Sequence, residues 1–433
     1  MFTEEVFMSG KRKIIRRLSV LLVVVMLLFS GCGAKEDAPF SADDIRTRSD
    51  AAAFLAEKTQ GSKGFISGTD QRDKISDYAY LYDNALTAVV LSHAGAQEQA
   101  EMIADAMVFA QAHDRMFHDG RLRNAYIAGD PRSDSGRSIA AGKVTIRLPG
   151  FWQNGKWQED SYTVSTSTGN MGWTILALCS VAKNASAEKQ TEYLEAAVQA
   201  AEFVLTLESA KGGFTAGFEG WDEEQVKTTY ISTEHNIDLY VALSVLADAL
   251  SASDTEKSEK YRAAADSAKK FVLSMYDEKR GFFYTGTLDD GSTVSDGVIP
   301  IDANCLAILS LGEALDDPYR IVSFVEERMA VGDGFDFGTG DLDGIWNEGT
   351  SQMAVCYYTM NSMEKYDKTM SYLKTQTAGD GSIPAADRDG VSTGFVVVGT
   401  DSLWEYNNVQ SISATGWLAF AEMKVNPFAT GLD

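Results

Sequence analysis

Cysteine and proline are scarce, with 4 Cys and 7 Pro in 433 residues. So little cysteine excludes a disulfide-dense scaffold, and so little proline excludes collagen-like or Pro-rich chains. There are only four histidines: His93, His113, His118 and His235. Basic residues are outnumbered, 38 Lys and Arg against 62 Asp and Glu, a formal charge of −24. Such a surface repels phosphate backbones, so no nucleic-acid partner is expected. No phosphate loop, dinucleotide fingerprint or Gly-x-Ser-x-Gly nucleophile elbow occurs. What remains is 45% hydrophobic and 23% charged, the composition of a folded globular chain.

The basic residues are unevenly spread. Lys11, Arg12, Lys13, Arg16 and Arg17 precede an apolar run, Leu18 to Ser30, of about a dozen residues. That run is short for a membrane span, which takes about 20. With its basic flank it reads as a secretory signal over residues 1–31. It ends in Ser30-Gly31-Cys32-Gly33, which resembles a bacterial lipoprotein signal. That resemblance implies lipidation of Cys32, a polar tether over 32–50, and a protein outside the cytoplasm held to the membrane by its lipid only. Cys179, Cys305 and Cys356 each sit in an apolar run and are expected to be buried.

An internal repeat organises residues 51–433 as one domain. Six segments share a polar start followed by an apolar, Ala- and Leu-rich stretch of helical length. They begin at Tyr82, Ser167, Ser232, Ile301, Asn347 and Ser411. Aligned by their polar starts, Asn84, Asn170, Asn236, Asn304, Thr350 and Thr415 correspond. Between them lie helices with apolar residues at i, i+3, i+4 and i+7, such as Glu192 to Glu208 and Glu259 to Asp277. The first set is apolar nearly all round and is expected inside; the second is one-sided and is expected outside. Gly-aromatic turns such as Gly213-Phe214 and Gly281-Phe282 follow the outer helices and predict short extended pieces. Six inner helices alternating with about six outer ones predict an all-α (α/α)6 toroid, with an open solenoid as the alternative.

In a closed ring the polar starts open on one funnel. Asp83, Glu234 and Glu348 are the candidate catalytic carboxyls. Tyr82, Asn84, Asn170, Trp173, His235, Asn236, Asp238, Asp302, Trp346, Gln352, Trp404 and Trp417 are the candidate substrate-binding residues. Helix capping accounts for Ser167, Ser232, Thr233 and Ser411. It accounts less well for Glu234, Asp238 and Glu348, because one cap needs one group. All seven tryptophans fall between helices or in the first turns of inner ones, and indole faces stack on sugar rings. The long insert from Tyr126 to Ser167 is expected to wall the cleft. Asp333, Asp336, Asp341 and Asp343 miss the spacing of a calcium loop and read as a solvated turn. No metal or cofactor is expected.

The alternation resembles the six-hairpin glycosidase superfamily over nearly all of the chain after Cys32. Ser232-Thr233-Glu234-His235-Asn236-Ile237-Asp238 and Trp346-Asn347-Glu348-Gly349-Thr350 are similar to the acidic helix starts of such enzymes. The resemblance implies a glycoside hydrolase acting on a poly- or oligosaccharide, with inversion at the anomeric carbon. Two carboxyls are needed: Glu348 as acid, and Glu234 or Asp83 as base. Two alternatives stand beside it. One is a polysaccharide lyase or sugar epimerase working through His235 with Tyr82 or Tyr240. The other is a non-catalytic surface lipoprotein that binds glycans.

Overall fold

The computed structural model describes residues 42–68, 77–396 and 401–429. The expected signal segment, Cys32 and the tether as far as residue 41 lie outside the described residues. The end of the expected tether is not a tether. Ala42–Arg46 is a helical turn with Ile45 buried, and Ser49 caps the next helix by accepting the Ala52 N–H.

Twelve long helices alternate between two layers among the described residues. The outer ones are α1 (Asp50–Ser62), α3 (Gln97–Ala112), α5 (Ala187–Leu205), α7 (Thr255–Ser274), α9 (Pro318–Arg328) and α11 (Met363–Gln376). The inner ones are α2 (Leu81–Ala94), α4 (Thr168–Ala182), α6 (Thr233–Leu250), α8 (Ile301–Leu311), α10 (Asn347–Thr359) and α12 (Ile412–Met423). Each inner helix packs on the next, and α12 returns to α2. The ring is therefore closed, an (α/α)6 toroid rather than a solenoid.

The patterning explains the layers. In α5 the buried residues are Tyr193, Ala196, Ala197, Ala200, Ala201, Phe203 and Val204, one stripe of a 3.6-residue period. In α4 every residue from Met171 to Ala182 is buried. At about 1.5–3 kcal/mol for each large apolar side chain, the inner ring supplies most of the burial energy. Small residues let inner helices approach closely. A Cβ on Gly172 would come within 3.0 Å of Asp238 Cβ, and one on Gly416 within 2.8 Å of Leu86. The seam between the chain's first and last helices is polar: Ser49 Oγ donates to Glu422 Oε2 at 2.5 Å, and the Ala51 N–H reaches the same oxygen at 3.2 Å. Cys179, Cys305 and Cys356 are buried and unpaired.

The Gly-aromatic turns become short hairpins, such as Tyr276–Asp277 with Phe282–Phe283. Gly213 and Gly281 adopt positive φ, which an L side chain tolerates poorly. Each extended piece is clipped to the fourth residue of the following inner helix. Asn84 Oδ1 accepts the Ile66 N–H at 2.8 Å, and its Nδ2 donates to the carbonyls of Ile66 and Tyr80. Asn236 does the same with Phe214 and Ser232. Asn304, Thr350 and Thr415 take the N–H groups of Phe283, Phe335 and Ile383. In α4 the fourth residue is Met171, whose sulfur accepts the Leu122 N–H at 3.3 Å. Asn170 is thus one position early in the alignment read from sequence.

Candidate active site

Where the fourth residue of each inner helix faces back into the ring, the second faces the central cavity. Tyr82, Gly169, Glu234, Asp302, Glu348 and Ser413 hold that position, and all six line one hollow of about 420 Å³. The third residue adds Asp83, Asn170 and His235. The sixth, one turn deeper, adds Trp173, Asp238 and Gln352. Helical geometry groups these positions: residues two and six are i, i+4 neighbours on one face with residue three at its edge, while residue four points away.

Most of the sequence-derived candidates therefore meet. Tyr82, Asp83, Asn170, Trp173, Glu234, His235, Asp238, Asp302, Trp346, Glu348 and Gln352 line the same cavity. Four do not. Asn84 and Asn236 are fully buried clips, their amides consumed by backbone partners. Trp417 is also fully buried and supports the site from behind, its Nε1 donating to Tyr82 OH at 2.9 Å. Trp404 is exposed and packs 5.9 Å from Tyr162, at the rim. Capping follows the expected residues only in part. Ser232 and Ser411 cap, whereas Thr233 Oγ1 donates to the Tyr284 carbonyl and Ser167 caps nothing. The Ser167 hydroxyl lies 3.4 Å from His235 Nε2 instead.

Several lining residues were not foreseen: Tyr80, Asn124, Tyr162, Phe337, Phe395, Tyr406 and Ser413. Most come from the short strands, turns and loops between the long helices, where sequence periodicity is silent. Ser413 was recoverable as the second residue of the sixth inner helix. Tyr162 belongs to the long insert, which does supply a wall. Asn124 braces that wall by donating to the Tyr162 carbonyl at 2.8 Å and accepting from Asn170 at 2.9 Å. Trp152 and Trp157 pair across an exposed hairpin of the insert, 5.8 Å apart. Behind it, buried Arg123 bonds Asp114, Asp222 and the Val164 carbonyl.

Five carboxyls crowd the cavity, with no Lys or Arg among its described lining residues. Burial raises them all, and repulsion from neighbouring carboxyls adds to it at Asp83, Glu234, Asp238 and Glu348. Glu348 is pushed up to about 7 by burial, although Ser413 and Tyr82 hydrogen bonds pull it down; Tyr82 OH donates to Glu348 Oε1 at 2.8 Å. Asp302 is pushed up to about 6 by burial, held back by the Ala303 N–H at 2.5 Å. Glu234 is raised well above its usual range by burial and by Asp302, Asp238 and Glu348. Asp238 rises through burial and Asp302, against a bond from Trp173. Asp83 rises through burial and Glu348, with Lys58 opposing. His235 is lowered to about 4 by burial and is neutral. Buried polar atoms here also lack partners: Asp238 Oδ1, Gln352 Oε1, Trp346 Nε1 and His235 Nδ1. Buried polar atoms are normally satisfied, so these four await a ligand or water.

A larger hollow, about 980 Å³, lies between α4, α5 and α6 near Lys183, Leu194 and Asp248, and it gathers no acid cluster of this kind. Outside both, Asp336, Asp341 and Asp343 bring carboxylate oxygens within 4.8 Å of one another. Asp336 is buried there and pushed up to about 6, so this turn is less solvated than its sequence implies.

No protein-family model matches the chain. No curated protein sequence matches it either. Solved structures do. A glycosidase in complex with glucose superposes with a TM-score of 0.58 at 12% identity, covering 89% of this chain and 98% of that one. An α-amylase from Clostridium perfringens gives 0.56 at 12%, covering 86% and 97%. A cellobiose 2-epimerase from Spirochaeta thermophila gives 0.57 at 13%, covering 90% and 98%. Closed ring, alternating layers and these likenesses agree that the chain has the six-hairpin, glycosidase-like (α/α)6 fold.

Proposed function

We propose that the protein hydrolyses glycosidic bonds in a poly- or oligosaccharide, and that it works as a lipid-anchored protein outside the cytoplasm. The observation that carries the hydrolase reading is the pairing of Glu348, raised to about 7, with further carboxyls in the same enclosed cavity. Glycoside hydrolysis needs one carboxyl that still holds a proton at working pH and another that has lost it. Glu348 fits the acid. Burial keeps its proton on, and the Tyr82 hydroxyl fixes the orientation of the carboxyl that donates to the leaving group. Trp417 holds Tyr82 in turn.

The base is drawn from Asp302, Glu234 and Asp83. Asp302 is raised to about 6, below Glu348, and so ionises before it. Its charge in turn favours the protonated form of Glu348. A water activated by the base then attacks the anomeric carbon while Glu348 protonates the departing oxygen. Trp173, Trp346 and Tyr406 offer aromatic walls for the sugar, Trp346 and Tyr406 being stacked 5.3 Å apart.

The lyase and epimerase alternatives find less support. A lyase on uronic acids needs a cation to offset the substrate carboxylate, and no Lys or Arg among the described residues lines the cavity. An imidazole mechanism has one histidine here, His235, which is neutral and bonded near Ser167. The non-catalytic reading makes no use of a proton-holding Glu348.

The test is a panel of microbial, plant and host polysaccharides with product analysis, and NMR of the first-formed anomer. Reducing ends that appear with the parent and vanish in Glu348→Gln support hydrolysis. Binding without turnover on every glycan would replace it with the non-catalytic reading. For the anchor, labelling with a lipid precursor that is lost in Cys32→Ala is the expected result.

A further inference from the structure

We propose that the cavity selects a glycan carrying free amino groups, with the ammonium of a hexosamine unit seated against Asp238 and Glu234. The inference rests on the hydrolase reading for its cleavage outcome, but it concerns what the cavity binds.

Charge is the first argument. Two carboxyls suffice for hydrolysis, yet Asp83, Glu234, Asp238, Asp302 and Glu348 all face one space with no basic lining residue among the described residues. Among the described residues, Lys58 of α1 offsets the charge at Asp83. Surplus buried acids cost stability unless something positive joins them. An ammonium would relieve the repulsion that raises Glu234 and Asp238.

The second argument is an orphan. Asp238 is 3% exposed, lines the cavity, and its Oδ1 has no partner. Gln352 Oε1 lines the same space and is equally unpaired. Both are acceptors, so they call for a group rich in donors. Asp238 lies four residues after Glu234 on the cavity face of α6, which places two carboxyls beside one incoming group. Charge-assisted hydrogen bonds of this type are roughly twice as strong as neutral ones.

The third argument separates an organic cation from a bare ion. Among the described residues, only Asp336, Asp341 and Asp343 bring three ligand atoms within 4.8 Å. The cavity acids are spread more widely, over a hollow of sugar size. The chain's net charge of −24 would also draw a polycationic glycan toward the mouth.

The experiment compares glucosamine oligomers, β-1,4- and β-1,6-linked, with glucose oligomers of the same linkage. Binding is read by calorimetry and cleavage by reducing ends, on the parent and on Asp238→Asn. The expected result is at least tenfold tighter binding of the amino oligomer, and a loss of that preference in Asp238→Asn. If the variant does not fold by circular dichroism, the parent's preference alone decides. Preferential binding without cleavage keeps this inference and removes the hydrolase reading. Cleavage of glucose oligomers with no preference for the amine keeps the hydrolase reading and overturns this inference. Binding of neither series overturns it as well.

Discussion

Two sets of polar residues start the inner helices and meet opposite fates. At position four, Asn84, Asn236 and Asn304 are saturated by backbone groups and have nothing left to offer. At positions two, three and six, carboxyls one to two residues away are held in a shared hollow, raised by each other and by burial. The first set spends its hydrogen bonds on the fold. The second withholds them, and that unmet demand is what a ligand can satisfy. A third region makes the contrast sharper: Arg123 and Asp114 are as deeply buried, yet each is fully paired.

The largest expected effect separates the two sets by activity. Glu348→Gln should lower kcat/KM by about 10²–10⁴-fold with the fold intact, as removal of a general acid does. Steady-state kinetics on the first hydrolysed glycan, with circular dichroism, checks it. Next comes the paired region. Arg123→Leu leaves the Asp114 carboxylate buried without its cation, which should cost about 3–5 kcal/mol in urea unfolding. Asn236→Ala strands the Phe214 N–H and carbonyl and should cost about 1–3 kcal/mol, while the folded fraction keeps its activity. An Asn236→Ala protein that unfolds normally but no longer turns over would erase the distinction between the two sets.

Acidity offers a finer cut. Glu348 holds its proton more tightly folded than unfolded, so that stabilisation is present below its ordinary value of 4.5 and is lost as pH rises through about 7. Asp114 is lowered by Arg123, so its contribution is present above its ordinary value and lost as pH falls. Melting temperatures of Glu348→Gln should therefore gain on the parent between pH 5 and about 8. The smallest effect concerns Tyr82. Its hydrogen bond favours the ionised Glu348, so Tyr82→Phe should move the alkaline limb of kcat/KM upward in pH. An unmoved limb would take Tyr82 out of the acid's control.

Much of this was legible before any coordinates. The six inner starts, the one-sided outer helices and the Gly-aromatic turns all carry local periodicities, and local periodicity survives in a sequence. Glu234, Asp238 and Glu348 stood out because one helix cap needs only one group, and Asp238 also because a carboxylate between apolar neighbours is costly unless it faces a cavity. The register was harder. Asn84 and Asn236 looked like Asp83 and Glu234, since a polar residue at a helix start does not declare which way it points. Met171, replacing an asparagine as the clip of α4, hid the true alignment by one residue.

The sequence by itself determined the number of hairpins, which helices are inner, and the residue types gathered at their starts, because these follow from burial patterns within a turn or two of helix. Tertiary structure alone decided that the ring closes, that position two faces the hollow while position four faces the preceding loop, and that Tyr162 and Tyr406 arrive from distant loops to complete it. Those outcomes depend on where segments hundreds of residues apart come to rest. The altered acidity of Glu348 and Asp302 has the same origin, since the desolvation behind both, and the repulsion from Asp302 felt by Glu348, exist only once the helices stand around one space.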